Sequence, residues 1–439
     1  MRVNHRIHLC LAKMSDTGLE QKYIQEAFST NWVAPLGPNV DGFEEDLEGF
    51  FNGKTPCIDS SASARAVTRN DMHGEDDMHG RSPFWPCHSE GRQVGRWESM
   101  ARKTKESIVS GTYHVAALSS CTAAIHLALL LLGVEKDDEV LCQSFSFCAS
   151  ANPVVYCRAN PVFVDSEEET WNMSPELLEE AIQDRIAKTG RKPKAIIVVD
   201  LYGMPAKWDE IEEIAQRYGI PVIEDAANAL GSYYKGKPCG TFGDIATLSF
   251  NGNKMITTSG GGALVCKDEE TKKRAIFLAT QAKEPYLHYE HETIGFNYRM
   301  SNICAGIGRG QMTVLEDHVR HHKRVHERYK ERFQDIDGIA VHDNPGGEYD
   351  SNFWLTTITF KKAFDVEALC KVLDQAGIEV RPLWKPMHLQ PVYRNAPAYT
   401  NGVSERLYRT GICLPSGPWV SDEDVEFIVE TILQQISRP

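Results

Sequence analysis

KAIIVVDLYG, Lys194 to Gly203, is an unbroken apolar run closed by Asp200 and Gly203. A half-solvated strand alternates apolar and polar residues; this one does not. It reads as a parallel strand covered on both faces. WDEIEEIAQRYG (208–219) follows as an amphipathic helix, and IPVIEDAANALG (220–231) as a second buried strand, ending at Glu224-Asp225. Upstream lie PVFVD and then SPELLEEAIQDRI, a helix with Ser174 as cap and Pro175 in its first turn. DEVLCQSFSF (138–147) is a strand ending in aromatics, followed by the helix-like ANPVVYCRA (151–159). Strands alternating with helices predict an α/β fold with a mostly parallel sheet, and such sheets bind ligands beyond the carboxyl ends of their strands.

The outer parts follow the same logic. GLEQKYIQEAFST (18–30) and VDGFEEDLEGFF (40–51) have helical periodicity. YHVAALSSCTAAIHLALLLLGV runs from a short strand through the turn SSCT (119–122) into a helix apolar nearly all round. A strand, a small-residue turn and a helix N-terminus present backbone N–H groups to phosphate, although Ser119, Ser120 and Thr122 equally suit an ordinary cap. After about residue 310 the pattern shifts. QMTVLEDHVRHHKRVHERYKERFQDI (311–336) reads as a charge-rich connecting helix. The strand NFWLTTITF (352–360), the helix DVEALCKVLDQAG, the strand IEVRPL and the helix SDEDVEFIVETILQQI predict a smaller α+β domain. The expected division is 1–53, an N-terminal helical part of the large domain; 54–112, a polar insertion without periodicity, expected to be disordered; 113–310, the large domain; and 311–439, the small one.

Composition excludes several classes. The 439 residues are 42% hydrophobic and 25% charged, with a formal net charge of -14. An acidic chain without a basic stripe is a poor match for nucleic acid. The N-terminal stretch has no apolar core of export-signal length, and no apolar run is long enough to cross a membrane. The twelve cysteines are scattered without a CxxC pair, which fits free thiols in a reducing, cytoplasmic setting. His73, His79, Cys87 and His88 match no metal-ligand spacing, so no metal site is expected.

Chemistry gathers around SFNGNKMITTSGGG (249–262). Lys254 sits in a polar, glycine-flanked loop between the apolar runs DIATLSF and GALVC. It is either a snorkelling surface lysine or an amine held in a site. A poised lysine forms Schiff bases with carbonyl compounds. With a strand-end carboxylate (Asp225), a phosphate turn and a strand-end aromatic (Phe147), it would meet the needs of pyridoxal phosphate.

The stretches NWVAPLGPNVDGFE, SSCTAAIHLAL, QSFSFCASANPVVY, VIEDAANALGSYYKGKPCGTFGD, SFNGNKMITTSGGG, GFNYRMSN, RPLWKPMHLQP and GICLPSG resemble the DegT/DnrJ/EryC1/StrS nucleotide-sugar aminotransferases, nearest the branch that makes 4-amino sugars. The resemblance spans nearly all the chain outside residues 54–112. It implies a fold-type I pyridoxal-phosphate-dependent transferase, glutamate as amino donor, a nucleotide-linked 4-keto-6-deoxy sugar as acceptor, and a homodimer. It implies that Lys254 carries the cofactor and moves the proton, and that Asp225 pairs the pyridinium nitrogen. Phe147 would stack on the ring; Cys121, Thr122 and Ser249 would hold the phosphate; Asn228 would sit near the ring hydroxyl. Asn297 would reach the partner subunit's cofactor, and His388 would face the sugar. Each residue also has an ordinary role open to it: Asp225, Thr122 and Ser249 as caps, Phe147 as core, Asn297 as a turn residue, His388 as a structural histidine. Two features depart from the family: Cys121 stands where glycine is usual, and the family runs almost directly from the 40–51 helix to the 114–118 strand. The segment between is either a lineage-specific loop or translated non-coding sequence. A sugar dehydratase of this fold has histidine in place of the lysine, which Lys254 opposes. An inactive or regulatory cofactor-binding homologue is the other alternative.

Overall fold

The computed structural model describes residues 6–53, 112–361 and 365–436. The expectations for the insertion, apart from Thr112, and for His73, His79, Cys87 and His88 lie outside these residues. The strands in chain order are β1 His114–Leu118, β2 Glu139–Gln143, β3 Asn160–Val164, β4 Ala195–Val199, β5 Val222–Asp225, β6 Tyr233–Tyr234, β7 Lys237–Pro238, β8 Ile245–Ser249, β9 Gly262–Cys266, β10 Ile339–Val341, β11 Tyr349–Asp350, β12 Thr356–Phe360, β13 Arg381–Pro382, β14 Ala398–Tyr399 and β15 Gly411–Leu414.

Eight strands form the main sheet in the order β1-β9-β8-β5-β4-β2-β3-β14. Five neighbouring pairs are parallel, and β9 alone runs against its two neighbours. All five residues of β4 are buried, as the unbroken run AIIVV requires. The helix Cys121–Leu131 is buried through eight of its residues and lies between sheet and outer helices. The helix Pro38–Phe51 turns Val40, Phe43, Leu47 and Phe51 inward. Asn52 then clasps Tyr113: its Nδ2 donates to the Tyr113 carbonyl at 3.1 Å, and Tyr113 N–H donates to its Oδ1 at 2.7 Å. The two ends of the 54–111 segment therefore stand side by side.

A second sheet, β10-β12-β15-β13, is antiparallel throughout. Its core joins Tyr329 and Phe333 of the helix Leu315–Phe333 to Ile358, Ile412, Leu369 and Ile428. Three expectations need correction here. The strand expected over 352–360 begins only at Thr356; before it, Phe353 adopts φ +48° and the Asn352 side chain takes up backbone groups. IEVRPL contributes only Arg381–Pro382 to the sheet, and proline has no N–H to extend the ladder. The helix expected from residue 311 starts at Leu315, after a separate helix Asn302–Met312. Among the described residues no helix is long and apolar enough to cross a membrane.

Candidate active site

The pairing of β8 and β9 builds the lysine loop. Ser249 faces Gly262 across the ladder, and Phe250 N–H donates to the Gly261 carbonyl at 2.9 Å. Thr258 N–H folds the loop back onto the Phe250 carbonyl at 2.9 Å. Lys254 leaves this loop half-buried, and its Nζ donates to Asn228 Oδ1 at 2.7 Å. The same Nζ lies 3.9 Å from the centre of the Trp354 ring. Burial pushes the amine down to about 8, against the opposing charge of Asp225. A lysine near 8 has a substantial neutral fraction at physiological pH, which a nucleophilic amine needs.

Asp225 ends β5 and is buried. Its Oδ2 accepts from Ser150 Oγ at 2.6 Å, and its Oδ1 from Ala227 N–H at 3.2 Å. Burial raises its pKa, while Ser150, Ala227 and the Lys254 charge oppose the rise. Ser150 Oγ also meets Ser146 Oγ at 2.8 Å. Two residues earlier on the same strand exit, Ser144 Oγ meets His388 Nδ1 at 2.7 Å. The β2 exit thus connects Asp225 to the loop carrying His388.

The third part is the start of the helix Cys121–Leu131. Ser120 caps it, its Oγ accepting from Ala123 N–H at 3.0 Å. The first N–H groups of a helix have no intrahelical acceptor, and here they belong to Cys121 and Thr122. Gly262 packs directly against this turn: a Cβ there would lie 2.3 Å from the Cys121 nitrogen. Glycine is thus required where Ser249, Gly262, Cys121 and Thr122 meet, and the surface they make suits an anion. The Cys121 thiol leaves the turn and lies 3.8 Å from Asp225 Oδ1. Burial and that carboxylate push the thiol pKa up, so it stays protonated.

The structure therefore brings Lys254, Asn228, Asp225 and Cys121 together, with Thr122 on the adjoining turn and Ser249 at the end of β8. Phe147 is 56% exposed, which sets aside a core role, and its ring lies 5.7 Å from Trp384. No helix begins at Asp225, and Ser120 rather than Thr122 is the cap of its helix. His388 is half-buried, its pKa lowered by burial. Asn297 is exposed, and its backbone bridges Thr280. Its neighbours are engaged within the chain. Arg299 donates to Glu44 and to the Ala117 carbonyl, while Tyr298 stacks on Phe296 and meets His126.

Ser150, Asn352, Trp354 and Cys10 were not singled out by sequence reasoning. Ser150 sits in the small-residue turn just past a strand end, a position worth testing for a partner. Trp354 carried no signal, because it lies in a run that reads as plain strand. These residues fit pyridoxal phosphate: an enclosed amine, a buried carboxylate, and an anion surface that a side chain on Gly262 would fill.

Comparison with known proteins places the chain in one family. Residues 90–433 match the family model described as the DegT/DnrJ/EryC1/StrS aminotransferase family. The chain is 42% identical over 435 residues to the putative pyridoxal phosphate-dependent aminotransferase EpsN of Bacillus subtilis, covering 98% of this chain and 96% of that protein. It is 39% identical over 319 residues to a GDP-perosamine synthase of Escherichia coli O157:H7, covering 73% of this chain and 85% of that one. The crystal structure of a DegT DnrJ EryC1 StrS aminotransferase from Brucella abortus superposes with a TM-score of 0.76 at 26% identity, covering 96% of each chain.

Proposed function

The chain belongs to the DegT/DnrJ/EryC1/StrS aminotransferase family, and we propose that it moves an amino group from glutamate to the 4-keto carbon of a nucleotide-linked 4-keto-6-deoxy sugar. Pyridoxal phosphate is the cofactor of this family and of this enzyme. When bound, it supplies an aldehyde that takes up the amino group and a ring that delocalises the electron pair left on the substrate carbon.

The chain's own residues would do the rest. Lys254 would hold the cofactor and, once released, carry the proton between carbon atoms. Asp225 would keep the ring nitrogen protonated, with Ser150 and Ala227 holding the carboxylate in place. Cys121, Thr122 and Ser249 would take the phosphate, Phe147 the ring face and Asn228 the ring hydroxyl. His388, fixed by Ser144, would face the sugar. Asn297 would reach the cofactor of the second subunit of a homodimer acting in the cytoplasm. The observation that carries this reading is the enclosed Lys254 amine, 2.7 Å from Asn228 and within the field of Asp225. The relative named for GDP-perosamine supports a nucleotide-linked sugar; amination at C4 rests on the resemblance to the 4-amino-sugar branch.

The test has two arms. Borohydride reduction of the yellow protein, followed by peptide mapping, places the adduct on Lys254; finding it on Lys235 or Lys283 removes that assignment. A screen against keto-sugar nucleotides with glutamate should yield a 4-amino sugar and 2-oxoglutarate in equal amounts. Amination at C3 alone would overturn the substrate assignment.

A further inference from the structure

The ring over the Lys254 amine is held by more than packing. Trp354 is buried, and its Nε1 donates to the Asn253 carbonyl at 2.6 Å, next to the lysine itself. Its backbone N–H donates to Asn352 Oδ1 at 2.8 Å. Asn352 is fully buried, and its Nδ2 donates to the carbonyls of Asn228 and Leu230, both at 3.0 Å. Asn228 and Trp354, the two groups against the amine, are thus tied to one side chain.

Phe353, between Asn352 and Trp354, has φ +48°, a conformation that a bulky residue adopts only under constraint. The constraint comes from the helix Leu315–Phe333. His326 stacks on the Phe353 ring at 3.6 Å with 5° between planes. His322 Nδ1 lies 3.3 Å from the Phe353 carbonyl, and its pKa is pushed down to about 3, chiefly by burial, so the ring is neutral and donates. One turn earlier, His318 Nδ1 lies 3.0 Å from the Met255 carbonyl, immediately after Lys254. Spaced four residues apart, these histidines line one helix face and grip both sides of the lysine–tryptophan contact.

We propose that Trp354 is a further active-site residue, whose indole face covers the Lys254 amine and keeps water from it, with His322 and His326 as positioning residues acting through Phe353. The proposal rests on Lys254 being the cofactor lysine. The charged and titratable groups facing the amine are Asp225 from β5, Cys121 from the helix start and Cys10 from the N-terminal segment. They stay in place when Trp354 is changed. Opening the indole side admits water, which solvates the ammonium more strongly than the lost ring face attracted it, and so favours the ammonium form.

The experiment measures the amine directly. Full-length protein is stripped of cofactor with a carbonyl-trapping amine; refilling a portion and recovering its colour shows that it remains folded. Lys254 acylation is then followed across pH by peptide mass mapping. The midpoint reports ionisation, independent of reagent access. It should lie near 8 in the unchanged protein, move up by about one pH unit or more in Trp354→Ala, and stay close to the original in Trp354→Phe. His326→Ala should move it the same way by less. If Trp354→Ala does not fold, Trp354→Gln replaces it with the same expectation. With the borohydride adduct on Lys254, an unmoved midpoint in the Ala or Gln variant, or an equal shift in Trp354→Phe, overturns the role of Trp354 alone. An adduct on another lysine overturns the cofactor assignment and this role with it.

Discussion

Asp225 keeps a carboxylate in a buried place because Ser150 Oγ and Ala227 N–H both donate to it. Asparagine at this position keeps an acceptor for Ala227, and the Ser150 hydroxyl can turn to accept from the new amide. The fold and cofactor binding should therefore survive Asp225→Asn. The negative charge does not survive, and removing such a preorganised charge costs roughly a hundredfold or more in turnover. Steady-state rates beside the visible spectrum check this; wild-type turnover would remove Asp225 from the mechanism. Lys254 and Asp225 were legible in the sequence because each sits at a break between an apolar run and small polar residues, where a strand end opens onto a site. Ser150 and Trp354 were not. Their contacts, to Asp225 at 2.6 Å and to the Lys254 amine at 3.9 Å, join residues far apart in the chain. No local pattern encodes such a meeting.

Adjacent strand residues face opposite ways, so the residue before Asp225 looks away from the cup. Glu224 points to a buried cluster with Asp200 of the β4 exit and Cys239. Its oxygens accept from Gly240 N–H at 2.5 Å and Phe242 N–H at 2.7 Å. Asp200 Oδ1 accepts from Ala206 N–H and Trp208 Nε1, at 2.9 and 3.0 Å. Burial raises both pKa values, and the Asp200 charge raises that of Glu224 further; two carboxyls this close are expected to hold one proton between them. Their folded pKa values lie above the unfolded ones, so their stabilisation is complete at low pH and is lost as pH rises from the ordinary carboxyl range through neutrality. Asp200→Asn keeps the Oδ1 acceptor and offers Glu224 a permanent donor. Its melting temperature relative to wild type should therefore climb between about pH 5 and 8, by up to ~1.4 kcal/mol of stability per pH unit. A difference constant with pH would sink the shared proton. The elements most legible in sequence were those with one dominant demand, such as AIIVV in β4. The run at 352–360 misled because Asn352 spends its side chain on the backbone of residues 228 and 230, a demand hidden inside an apolar stretch.

At the scale of the molecule, the alternation of strands and helices made the large sheet legible, while the pairing of β9 against its neighbours was not, since direction leaves no trace in a short apolar run. The subunit arrangement is a matter of surface. The loop before GFNYRMSN exposes Leu287, Tyr289 and Ile294, and the loop after the first helix exposes Trp32, Val33 and Leu36. Apolar side chains displayed this way favour a protein partner. Among the described residues no hydrogen bond joins the Asn297 side chain to the Lys254 group, and Arg299 beside it is held by Glu44. Asn297 itself is exposed, as the proposed homodimer requires of a residue that serves the partner's site. An asparagine amide suits a phosphate oxygen. Mixing Lys254→Ala with Asn297→Ala, each weak or inactive alone, under subunit exchange tests it. In a shared-site dimer, one site carries both defects and the other carries neither, so activity should rise well above either parent. No recovery, with exchange confirmed and Asn297→Ala itself disabling, would mean that each chain completes its own site.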